Sequence, residues 1–468
     1  MFLKFPEEGE SFPSCPHGPT ILFWKKDKKL DGFYSCSAFR DLKDCPVKIP
    51  FARAEDQEFL GQFKSLEYHN GRICDKSQLI GSSYCSNCNT FLKPTDNKSH
   101  DSHKVHNNIT HENLKDPTKL LLQPTGNDKA EAQYFFDDNT LQLLGKIIKD
   151  NGIQKIICVG APRVHFYIRN RLNIPSFLLD LDERFFNFCD ETEFASFNMC
   201  NGHFLEGNLK KSKFQEFLKG DSFPLIFLDP PFACRTEPIV HTLSVLEKLY
   251  RNINRTHMIL PKIWVFPYYF EHYIKNVLPE MEMCDFKVNY TNHKLFSDQS
   301  GSRKYGSPIR LFTNIPLELI KLEKGYQFCK LCKKFVSLEN KHCNVCRKCP
   351  SKNGQTYRHC KNCGTCVKPN YLHCKKCRRC TQKEGHNCKD YVKTLRCWIC
   401  RETGHNEFDC GKWTKTRDIK FSRGGEIRCL ICMKKGHNEN GCRRRKELLK
   451  ETEFLGNVFN CLNKDDCL

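Results

Sequence analysis

The sequence predicts an α/β domain with a largely parallel sheet, preceded and followed in the chain by small metal-binding modules. From about residue 131 to residue 322, apolar runs of strand length alternate with helical patterns, which is typical of a parallel α/β sheet. Most of the 31 cysteines and 18 histidines lie outside this region, in closely spaced groups. We therefore expect one central α/β domain flanked by several zinc-binding modules.

The composition favours a reducing compartment and a nucleic-acid partner, and it argues against a membrane protein. No run approaches 18 apolar residues, and the amino terminus does not have the pattern of a signal peptide. Clustered cysteines and histidines are therefore interpreted as zinc ligands rather than as disulfides. The formal net charge is +21. Because thiolates bound to eight zinc ions would lower it only to about +14, the chain stays basic, which favours nucleic acid.

The strands and helices of the central region can be followed along the chain. Strands are predicted over residues 155–160, 176–182, 203–206, 225–228, 258–266, 284–290 and 309–313. Helices are predicted over residues 140–149, 161–172, 239–250 and 268–277, where apolar residues recur at helical spacing. This order predicts a doubly wound sheet, in which a ligand binds at the carboxyl ends of the strands.

The fourth predicted strand ends in the segment Leu225-Ile-Phe-Leu-Asp229-Pro230-Pro231-Phe232. Four apolar residues suit a buried strand, and the two prolines then end the ladder and fix a rigid turn. The turn presents two hydrogen-bond acceptors, the Asp229 carboxylate and the Pro230 carbonyl, beside the aromatic ring of Phe232. The alternative interpretation is an acidic strand end followed by a turn.

Two finger-like modules are predicted before the α/β domain. Three thiols and one imidazole suit a closed tetrahedral zinc site: Cys15, His17, Cys36 and Cys45. In the second module, Cys85 and Cys88 have the spacing of a ligand pair, and His100, His103 and His106 follow them. These three histidines are candidates for the two remaining ligand positions on the zinc ion. We choose His100 and His106, with His103 as the alternative.

The Asp-Pro-Pro-Phe segment resembles the catalytic motif of S-adenosylmethionine-dependent amino methyltransferases, above all those that act on adenine N6. The resemblance implies a class I (Rossmann-like) methyltransferase domain, with the cofactor over the tips of the first two strands and the target at the fourth. A carboxylate that ends the second strand would take the ribose hydroxyls. The first loop departs from the glycine-rich pattern, because only Gly160 is present before Ala161 and Pro162.

Further segments resemble one family, the CCHC-zinc-finger ribosomal RNA N6-adenosine methyltransferases. They are Gln133-Tyr-Phe-Phe-Asp, Val-Gly-Ala-Pro-Arg163, Leu-Leu-Asp180-Leu-Asp182, Phe197-Asn198, Trp264-Val-Phe-Pro-Tyr and Ser307-Pro-Ile-Arg-Leu-Phe-Thr-Asn. The match covers nearly the whole chain in domain order, and the first loop of that family also lacks the usual glycines.

The resemblance implies roles for named residues. Cofactor contacts are implied for Gln133, Tyr134, Phe135, Phe136, Arg163, Asp180, Phe197, Asn198 and Asp229. Handling of the target amine is implied for Asp229, Pro230, Pro231 and Phe232. Arg163 has the alternative of a solvent-facing helix position. Asp180 and Asp182 are hard to rank, and we choose Asp180 because the resemblance points to it.

The resemblance also implies a substrate, partners and a location. The substrate would be ribosomal RNA of the large subunit (28S-type), in support of ribosome biogenesis and translation. The partners would be ribosome-assembly proteins or RNA helicases, with no membrane. The location would be the nucleus and nucleolus, with the cytoplasm as a further site. The segments around His17 and Cys36 resemble a GRF-type zinc finger, although Asp31-Gly32 replaces the usual Gly-Arg, so nucleic-acid contacts are not carried over.

Sixteen cysteines and histidines lie in the sixty residues from Cys329 to Cys388. The spacing Cys-x2-Cys-x9-His-x6-Cys occurs twice, a middle set repeats it with a longer loop, and a fourth is shortened. We infer four interleaved zinc sites: Cys329, Cys332, His342 and Cys349; Cys343, Cys346, His359 and Cys366; Cys360, Cys363, His373 and Cys380; Cys374, Cys377, His386 and Cys388. The alternative is a solvated charged surface without metal.

The same region resembles the cysteine-rich domain of protein palmitoyltransferases, but two observations argue against that activity. No Asp-His-His-Cys quartet is present, and no membrane helix would hold an acyl substrate. Residues 329–392 carry sixteen Lys and Arg against three Asp and Glu. A basic zinc scaffold is therefore predicted.

Two zinc knuckles are predicted after this scaffold. Their ligands are Cys397, Cys400, His405 and Cys410, then Cys429, Cys432, His437 and Cys442. A glycine precedes each histidine, where a tight turn returns the ligand to the metal. Knuckles bind unpaired bases on a small apolar face, and residues 443–446 (Arg-Arg-Arg-Lys) add phosphate contacts.

The predicted domains follow from these patterns. They are a GRF-type finger (1–55), a Cys2His2-type finger (56–115), a methyltransferase domain (116–325), a cysteine-rich domain (326–395), two knuckles (396–445) and a tail (446–468). The leading hypothesis is an RNA adenine-N6 methyltransferase. The alternatives are a methyltransferase for DNA adenine or glutamine, and a non-catalytic RNA-binding protein. The intact catalytic motif argues against the last, and fingers suited to single-stranded RNA favour the first.

Overall fold

The computed structural model describes residues 2–6, 10, 12–25, 28–39, 42–55, 79–92, 100–122, 133–232, 234–292, 306–375, 379–382, 386–388 and 402–405. The chain divides into two compact units, residues 1–324 and residues 325–468. Among the described helices, none is long and apolar enough to cross a membrane. Several predicted zinc ligands lie outside the described residues: Cys377, Cys397, Cys400, Cys410, Cys429, Cys432, His437 and Cys442.

The first finger (residues 2–55) is a small antiparallel β module. Its strands are β1 (Phe2–Lys4), β2 (Ser14–Cys15), β3 (Gly18–Pro19), β4 (Ile21–Lys25), β5 (Lys28–Ser35) and β6 (Lys48–Pro50). Strands β1, β4, β5 and β6 form one sheet in that order, and β2 and β3 form a separate hairpin. Cys36 and Cys45 are buried with Leu22, Val47 and Ile49, so two predicted zinc ligands belong to the core of this module.

The described residues of the second finger (79–92 and 100–122) form three short strands, one short α-helix and a 3-10 turn, Pro117–Lys119. The strands are β7 (Ser83–Cys85), β8 (Thr90–Leu92) and β9 (Val105–His106), and the helix is α1 (His111–Lys115). β7 is the central strand and pairs with both others. A capping box begins α1, because the Thr110 side chain accepts a bond from the Asn113 amide and the Asn113 side chain accepts one from the Thr110 amide.

The central sheet has eight strands in the order β13-β12-β11-β10-β14-β15-β17-β16. They are β10 (Lys155–Val159), β11 (Ser176–Asp180), β12 (Phe194–Asn198), β13 (His203–Phe204), β14 (Pro224–Leu228), β15 (Lys262–Pro267), β16 (Glu282–Met283) and β17 (Ile309–Thr313). Strands β10, β11, β12, β14 and β15 are parallel, whereas β17 is antiparallel to β15. The parallel strands are almost continuously buried, which explains why they appear in the sequence as unbroken apolar runs.

Helices precede and connect these strands. Four of the five described helices of this domain were predicted, whereas the helix between β13 and β14 was not. The helices are α2 (Asp138–Asp150), α3 (Pro162–Tyr167), α4 (Asn208–Leu218), α5 (Thr236–Asn254) and α6 (Glu271–Val277). A π-helical turn, Ile168–Leu172, continues α3, and a 3-10 turn, Tyr268–Phe270, precedes α6. The class I, Rossmann-like α/β architecture predicted for this region is confirmed.

Two predicted strands differ in the structure. The third parallel strand is β12, whereas residues 203–206 contribute only the two-residue antiparallel strand β13 at the edge. β12 escaped notice because Ala195 and Ser196 interrupt its apolar residues, although all five of its residues are buried. Residues 284–290 are irregular rather than a strand, since only isolated amides such as Cys284 and Val288 bond to β17.

The sheet brings the carboxyl ends of β10, β11 and β14 to one edge. Val159 on the central strand lies level with Leu179 of β11 and Leu228 of β14. The Gly160 amide then donates to the Leu179 carbonyl, and the Asp229 amide donates to the Val159 carbonyl. Gly160, Asp180 and Asp229 are therefore neighbours at the edge where such sheets bind ligands.

The described residues of the second unit form three small hairpins. Their strands are β18 (Tyr326–Cys329), β19 (Lys334–Ser337), β20 (Arg358–Cys360), β21 (Thr365–Val367), β22 (Tyr371–Cys374) and β23 (Arg379–Gln382). Consecutive strands pair antiparallel. The first strand of each hairpin ends in a cysteine, so each turn presents a predicted zinc ligand.

Candidate active site and metal centres

A cavity of about 430 Å³ opens where the strands β10, β11, β12 and β14 end, a size typical of small-molecule sites. The described residues that line it include Gln133, Tyr134, Phe135, Gly160, Pro162, Asp180, Leu181, Asp182, Glu183, Phe197, Asn198, Met199, Cys200 and Asp229 to Phe232. Three residues of the first finger also line it: His17, Ala38 and Phe39. The cavity therefore contains the whole Asp-Pro-Pro-Phe segment and most residues that were expected to contact the cofactor.

Two expected cofactor residues do not lie among those lining residues. Phe136 is buried against Phe227 and Tyr290, so its ring belongs to the core. The Arg163 guanidinium pairs with the Asp138 carboxylate at 3.2 Å. Cofactor contacts by Phe136 and Arg163 therefore stay predictions, without support from the lining of the cavity.

Gly160 occupies the position in the first loop where the backbone conformation and the close packing require a glycine. Its φ is +64°, and a Cβ atom there would lie 2.4 Å from Met199 Cε and 3.1 Å from the Asp229 carbonyl oxygen. Only glycine adopts such a φ without strain and leaves room for this close approach. The loop can therefore pass directly beside the start of the catalytic motif.

Asp229 is held by a partner that the sequence analysis missed. The Tyr290 hydroxyl donates a 3.0 Å hydrogen bond to Asp229 Oδ1. Burial raises the pKa of the Asp229 carboxyl well above its usual value, and the bond from Tyr290 opposes that rise. Burial and the neighbouring carboxylate also raise the pKa of Tyr290, so the shared proton stays on the phenol. The sequence offered no signal for a contact between residues 61 positions apart.

Aromatic rings surround the end of the catalytic motif. The Phe232 ring lies 6.3 Å from the Tyr134 ring at an interplanar angle of 19°. It also lies 6.2 Å from Tyr290 and 5.9 Å from Phe266. Flat apolar surfaces of this kind suit a planar base, because aromatic rings stack offset on one another.

The two candidate carboxylates at the end of β11 have different environments. Asp182 accepts two bonds from the Arg184 Nε (2.9 and 3.0 Å), one from Arg184 Nη2 and one from Gln133 Nε2 at 2.8 Å. Asp180 is buried and accepts the Asp182 amide on Oδ1 at 3.0 Å. Burial, followed by the charge of Asp182, raises the pKa of Asp180 to about 7. Asp182 therefore already accepts hydrogen bonds from several protein groups, whereas Asp180 accepts fewer and can accept hydrogen bonds from a ligand.

The first finger is fixed against the cavity by two asparagines. Asn198 Nδ2 donates to the His17 carbonyl at 2.8 Å and to Ser37 Oγ at 2.7 Å, and Asn201 Nδ2 donates to the His17 and Pro19 carbonyls. Asn198 lines the cavity as expected, but both donor sites of its amide point to the finger. A predicted zinc ligand, His17, therefore lies in the same loop that closes one side of the cavity.

The second finger also contacts the methyltransferase domain near the cavity. Arg184, which holds Asp182, donates from Nη1 to Asn89 Oδ1 at 3.2 Å. The Phe188 ring packs 5.7 Å from both Tyr84 and Phe91. The β7–β8 turn of this finger is therefore linked to the cofactor side of the site.

The predicted ligands of the first finger come together in the structure. Cys15, His17, Cys36 and Cys45 have all their ligand atoms within 4.8 Å of one another. The His17 Nδ1 atom lies 3.5 Å from Cys36 Sγ and 3.9 Å from Cys15 Sγ. Ligand atoms on a tetrahedral zinc ion are about 3.4–3.8 Å apart, given bond lengths of 2.0–2.3 Å. The donor set and its dimensions therefore fit zinc.

In the second finger the structure selects His103 rather than His106. Cys85, Cys88, His100 and His103 lie within 4.8 Å of one another. His106 pairs with Tyr84 across β7 and β9, whereas Val105 pairs with Cys85. Because side chains alternate along a strand, His106 points to the face opposite Cys85. The choice of His106 is corrected for this reason, and His103 takes its place.

The cysteine-rich unit shows the interleaved pairing. Three quartets each lie within 4.8 Å: Cys329, Cys332, His342 and Cys349; Cys343, Cys346, His359 and Cys366; Cys360, Cys363, His373 and Cys380. The three Nδ1 atoms lie 3.2 Å from Cys332, Cys346 and Cys363, respectively. In the fourth set, Cys388 Sγ lies 3.5 Å from Cys374 Sγ and 3.3 Å from His386 Nε2. These groups could all hold zinc.

The fold and the site together define a class I methyltransferase of the amino-methylating type. Residues 127–315 match the family model described as "Probable N6-adenine methyltransferase". The chain is 36% identical to the human rRNA N(6)-adenosine-methyltransferase ZCCHC4 over 362 residues, which covers 70% of this chain and 69% of that protein. The Xenopus tropicalis protein of the same name is also 36% identical, over 71% of this chain and 73% of its own length. The mouse protein is 36% identical over 70% and 69%.

This chain belongs to the ZCCHC4 family of rRNA N(6)-adenosine-methyltransferases. The family predicted from the sequence motifs is confirmed.

Proposed function

We propose that this protein is an S-adenosylmethionine-dependent methyltransferase that modifies adenosine N6 in ribosomal RNA of the large subunit. The observation that carries the proposal is the cavity in which the intact Asp-Pro-Pro-Phe motif and Asp180 meet at one edge of the sheet. The names of the curated relatives support the substrate class.

The cofactor would occupy the part of the cavity between β10 and β11. When bound, S-adenosylmethionine supplies an electrophilic methyl group. Asp180 is proposed to accept the ribose hydroxyls, because Asp182 is already held by Arg184 and Gln133. The other lining residues proposed to contact the cofactor are Gln133, Tyr134, Phe135, Phe197 and Asn198. Four acidic side chains line the cavity (Asp180, Asp182, Glu183 and Asp229), and a cofactor with a positively charged sulfonium would favour their ionised forms.

The target amine would lie at Asp229 and Pro230. The Asp229 carboxylate and the Pro230 carbonyl would accept hydrogen bonds from its two N–H groups. This orientation of the amine leaves the nitrogen lone pair facing the methyl group. Phe232 stacks on the adenine ring. Tyr290 keeps Asp229 in position through its hydrogen bond at 3.0 Å. Preorganised polar groups of this kind are typically worth a factor of about 100 or more in rate.

The zinc modules are proposed to hold the RNA around this site. Eight zinc ions would fill the two fingers, the four interleaved sites and the two knuckles. The knuckles would bind unpaired bases, and the basic residues 329–392 would contact phosphates. We further propose that the protein supports ribosome biogenesis and translation. Its proposed location is the nucleus and nucleolus, and its proposed partners are ribosome-assembly proteins or RNA helicases.

The test is to map N6-methyladenosine in total RNA from cells with and without this protein. We expect loss of the modification at a ribosomal RNA adenosine and its return with the wild-type protein, but not with Asp229→Ala. The matched control is Asp221→Ala, an exposed aspartate before β14 at the opposite edge of the sheet. Unchanged ribosomal RNA methylation in the absence of the protein would refute the proposal.

A further inference from the structure

A group of exposed aromatic side chains follows β15. Tyr269 lies in the 3-10 turn and Tyr273 in α6, and their exposed fractions are 57% and 50%. Val277 follows on the same helix and is also exposed. Because residues four apart share one face of a helix, Tyr273 and Val277 lie on the same face of α6, and Tyr269 precedes them in the 3-10 turn. We call Tyr269 and Tyr273 the tyrosine platform.

The tyrosine platform lies at the catalytic edge of the sheet. β15 is parallel to β14, and their paired register ends at Leu228 and Trp264. β15 continues for three residues to Pro267, about 10 Å at the rise of an extended strand. The segment that follows therefore emerges on the side where the chain after β14 forms the Asp-Pro-Pro-Phe motif.

A series of ring contacts joins the catalytic motif to this platform. Phe232 lies 5.9 Å from Phe266, which lies 4.8 Å from Phe270. Phe270 then contacts Tyr269 at 5.1 Å and Tyr273 at 5.8 Å. These steps together span the length of a few nucleotides. Phe266 is fully buried, so this series runs through the core. It shows that the two tyrosines lie within reach of an RNA strand whose target base stacks on Phe232.

The 3-10 turn and α6, which carry the tyrosine platform, are anchored by buried residues. Ile274 is fully buried, and Phe270 packs against the same core cluster. These two residues anchor the 3-10 turn and α6, whereas half or more of each tyrosine remains exposed. Binding groups mounted on packed elements keep their geometry better than groups on loops. Shortening the two tyrosines should leave the support intact.

We propose that the tyrosine platform stacks the unpaired nucleotides that flank the target adenosine. The proposal rests on the RNA substrate class given under the proposed function. An adenosine must leave its stack before its amine can reach Asp229, and its neighbours then lose a stacking partner. Aromatic side chains replace that partner for any base, because every base has a flat π face. Lys275, exposed on the same short helix, adds a positive charge for the phosphate backbone.

The experiment uses the full-length protein and RNA oligonucleotides with one unpaired adenosine. 2-Aminopurine, whose fluorescence is quenched when it stacks, replaces single nucleotides on either side of that adenosine. The variants are Tyr269→Ala/Tyr273→Ala and Tyr269→Phe/Tyr273→Phe. The matched control is Phe223→Ala, since Phe223 is 44% exposed and immediately precedes β14, at the opposite edge of the sheet.

We expect the double alanine variant to bind RNA about 5- to 100-fold more weakly, to lose quenching at flanking positions, and to show a higher KM with little change in kcat. The phenylalanine variant and Phe223→Ala should behave as the wild type. Equal RNA affinity and quenching in the alanine variant would overturn the inference. So would full RNA affinity combined with lost association with ribosomal subunits, which would indicate a protein-docking surface. Binding and quenching need no turnover, so an inactive wild-type protein would count against the proposed function alone.

Discussion

Replacing Tyr290 with phenylalanine tests whether Asp229 acts as a positioned carboxylate. The change removes one hydroxyl, which donates to Asp229 Oδ1 at 3.0 Å. The ring stays in place, because it packs 5.0 Å from Phe136 and 5.6 Å from Tyr134. Fold and zinc content should therefore be unchanged, and any loss of activity should arise at the carboxylate.

The size of the effect follows from the strength of the lost bond. A hydrogen bond to a charged group contributes about 1.5–3 kcal/mol, which corresponds to a rate loss of about 10- to 100-fold. Loss of the bond also raises the pKa of Asp229 further, because the hydrogen bond stabilises the charged form. Burial already raises that pKa, and the Tyr290 bond lowers it. Without the bond, the active carboxylate forms only at higher pH, so the acid limb of the rate profile should move to higher pH.

The measurement is single-turnover methyl transfer to an RNA substrate from pH 6 to pH 9, with cofactor binding followed separately. Tyr250→Phe is the matched control, because Tyr250 is an equally buried tyrosine on α5. In the background of Asp229→Ala, Tyr290→Phe should cost nothing further, since the two residues act as one unit. If Tyr290→Phe has the single-turnover rate constant of the wild type and an unshifted acid limb of its pH–rate profile, the reasoning is refuted.

Three further predictions concern the cofactor, the metals and the RNA. Because burial raises the pKa of Asp180 to about 7 and the ribose needs the ionised form, cofactor affinity should rise about tenfold from pH 6 to pH 8. Calorimetry should find this slope removed in Asp180→Asn; a slope that survives would exclude Asp180 as the acceptor. Metal analysis of the intact protein should give close to eight zinc ions, and chelation should unfold the cysteine-rich unit; four or fewer ions would contradict the interleaved assignment. Deleting residues 396–445 should abolish methylation of structured RNA, leave cofactor binding nearly unchanged, and make the salt dependence of RNA affinity shallower. Equal methylation by the truncated enzyme would mean that the knuckles do not read the substrate.

The sequence alone determined the features that depend on local geometry. An apolar run that ends in Asp229-Pro-Pro-Phe232 can form a buried strand followed by a rigid turn, and the structure contains this arrangement as β14 and its catalytic tip. The spacing Cys-x2-Cys fixes the distance between two thiols within one turn. Together with the repeated spacing of the next His and Cys, this distance predicts the three quartets of described ligands that the structure brings together.

Only the tertiary structure decided the features that depend on which elements pack together. Strand pairing turned His106 away from Cys85 and left the fourth position to His103. The hydrogen bond from Tyr290 to Asp229 requires residues 284–290 to pass beside the sheet. The cavity wall formed by His17 and Phe39 requires the first finger to pack against Asn198 and Asn201. Such contacts join residues up to 184 positions apart. Their geometry is set by the packing of whole elements, which the local spacing of residues does not encode.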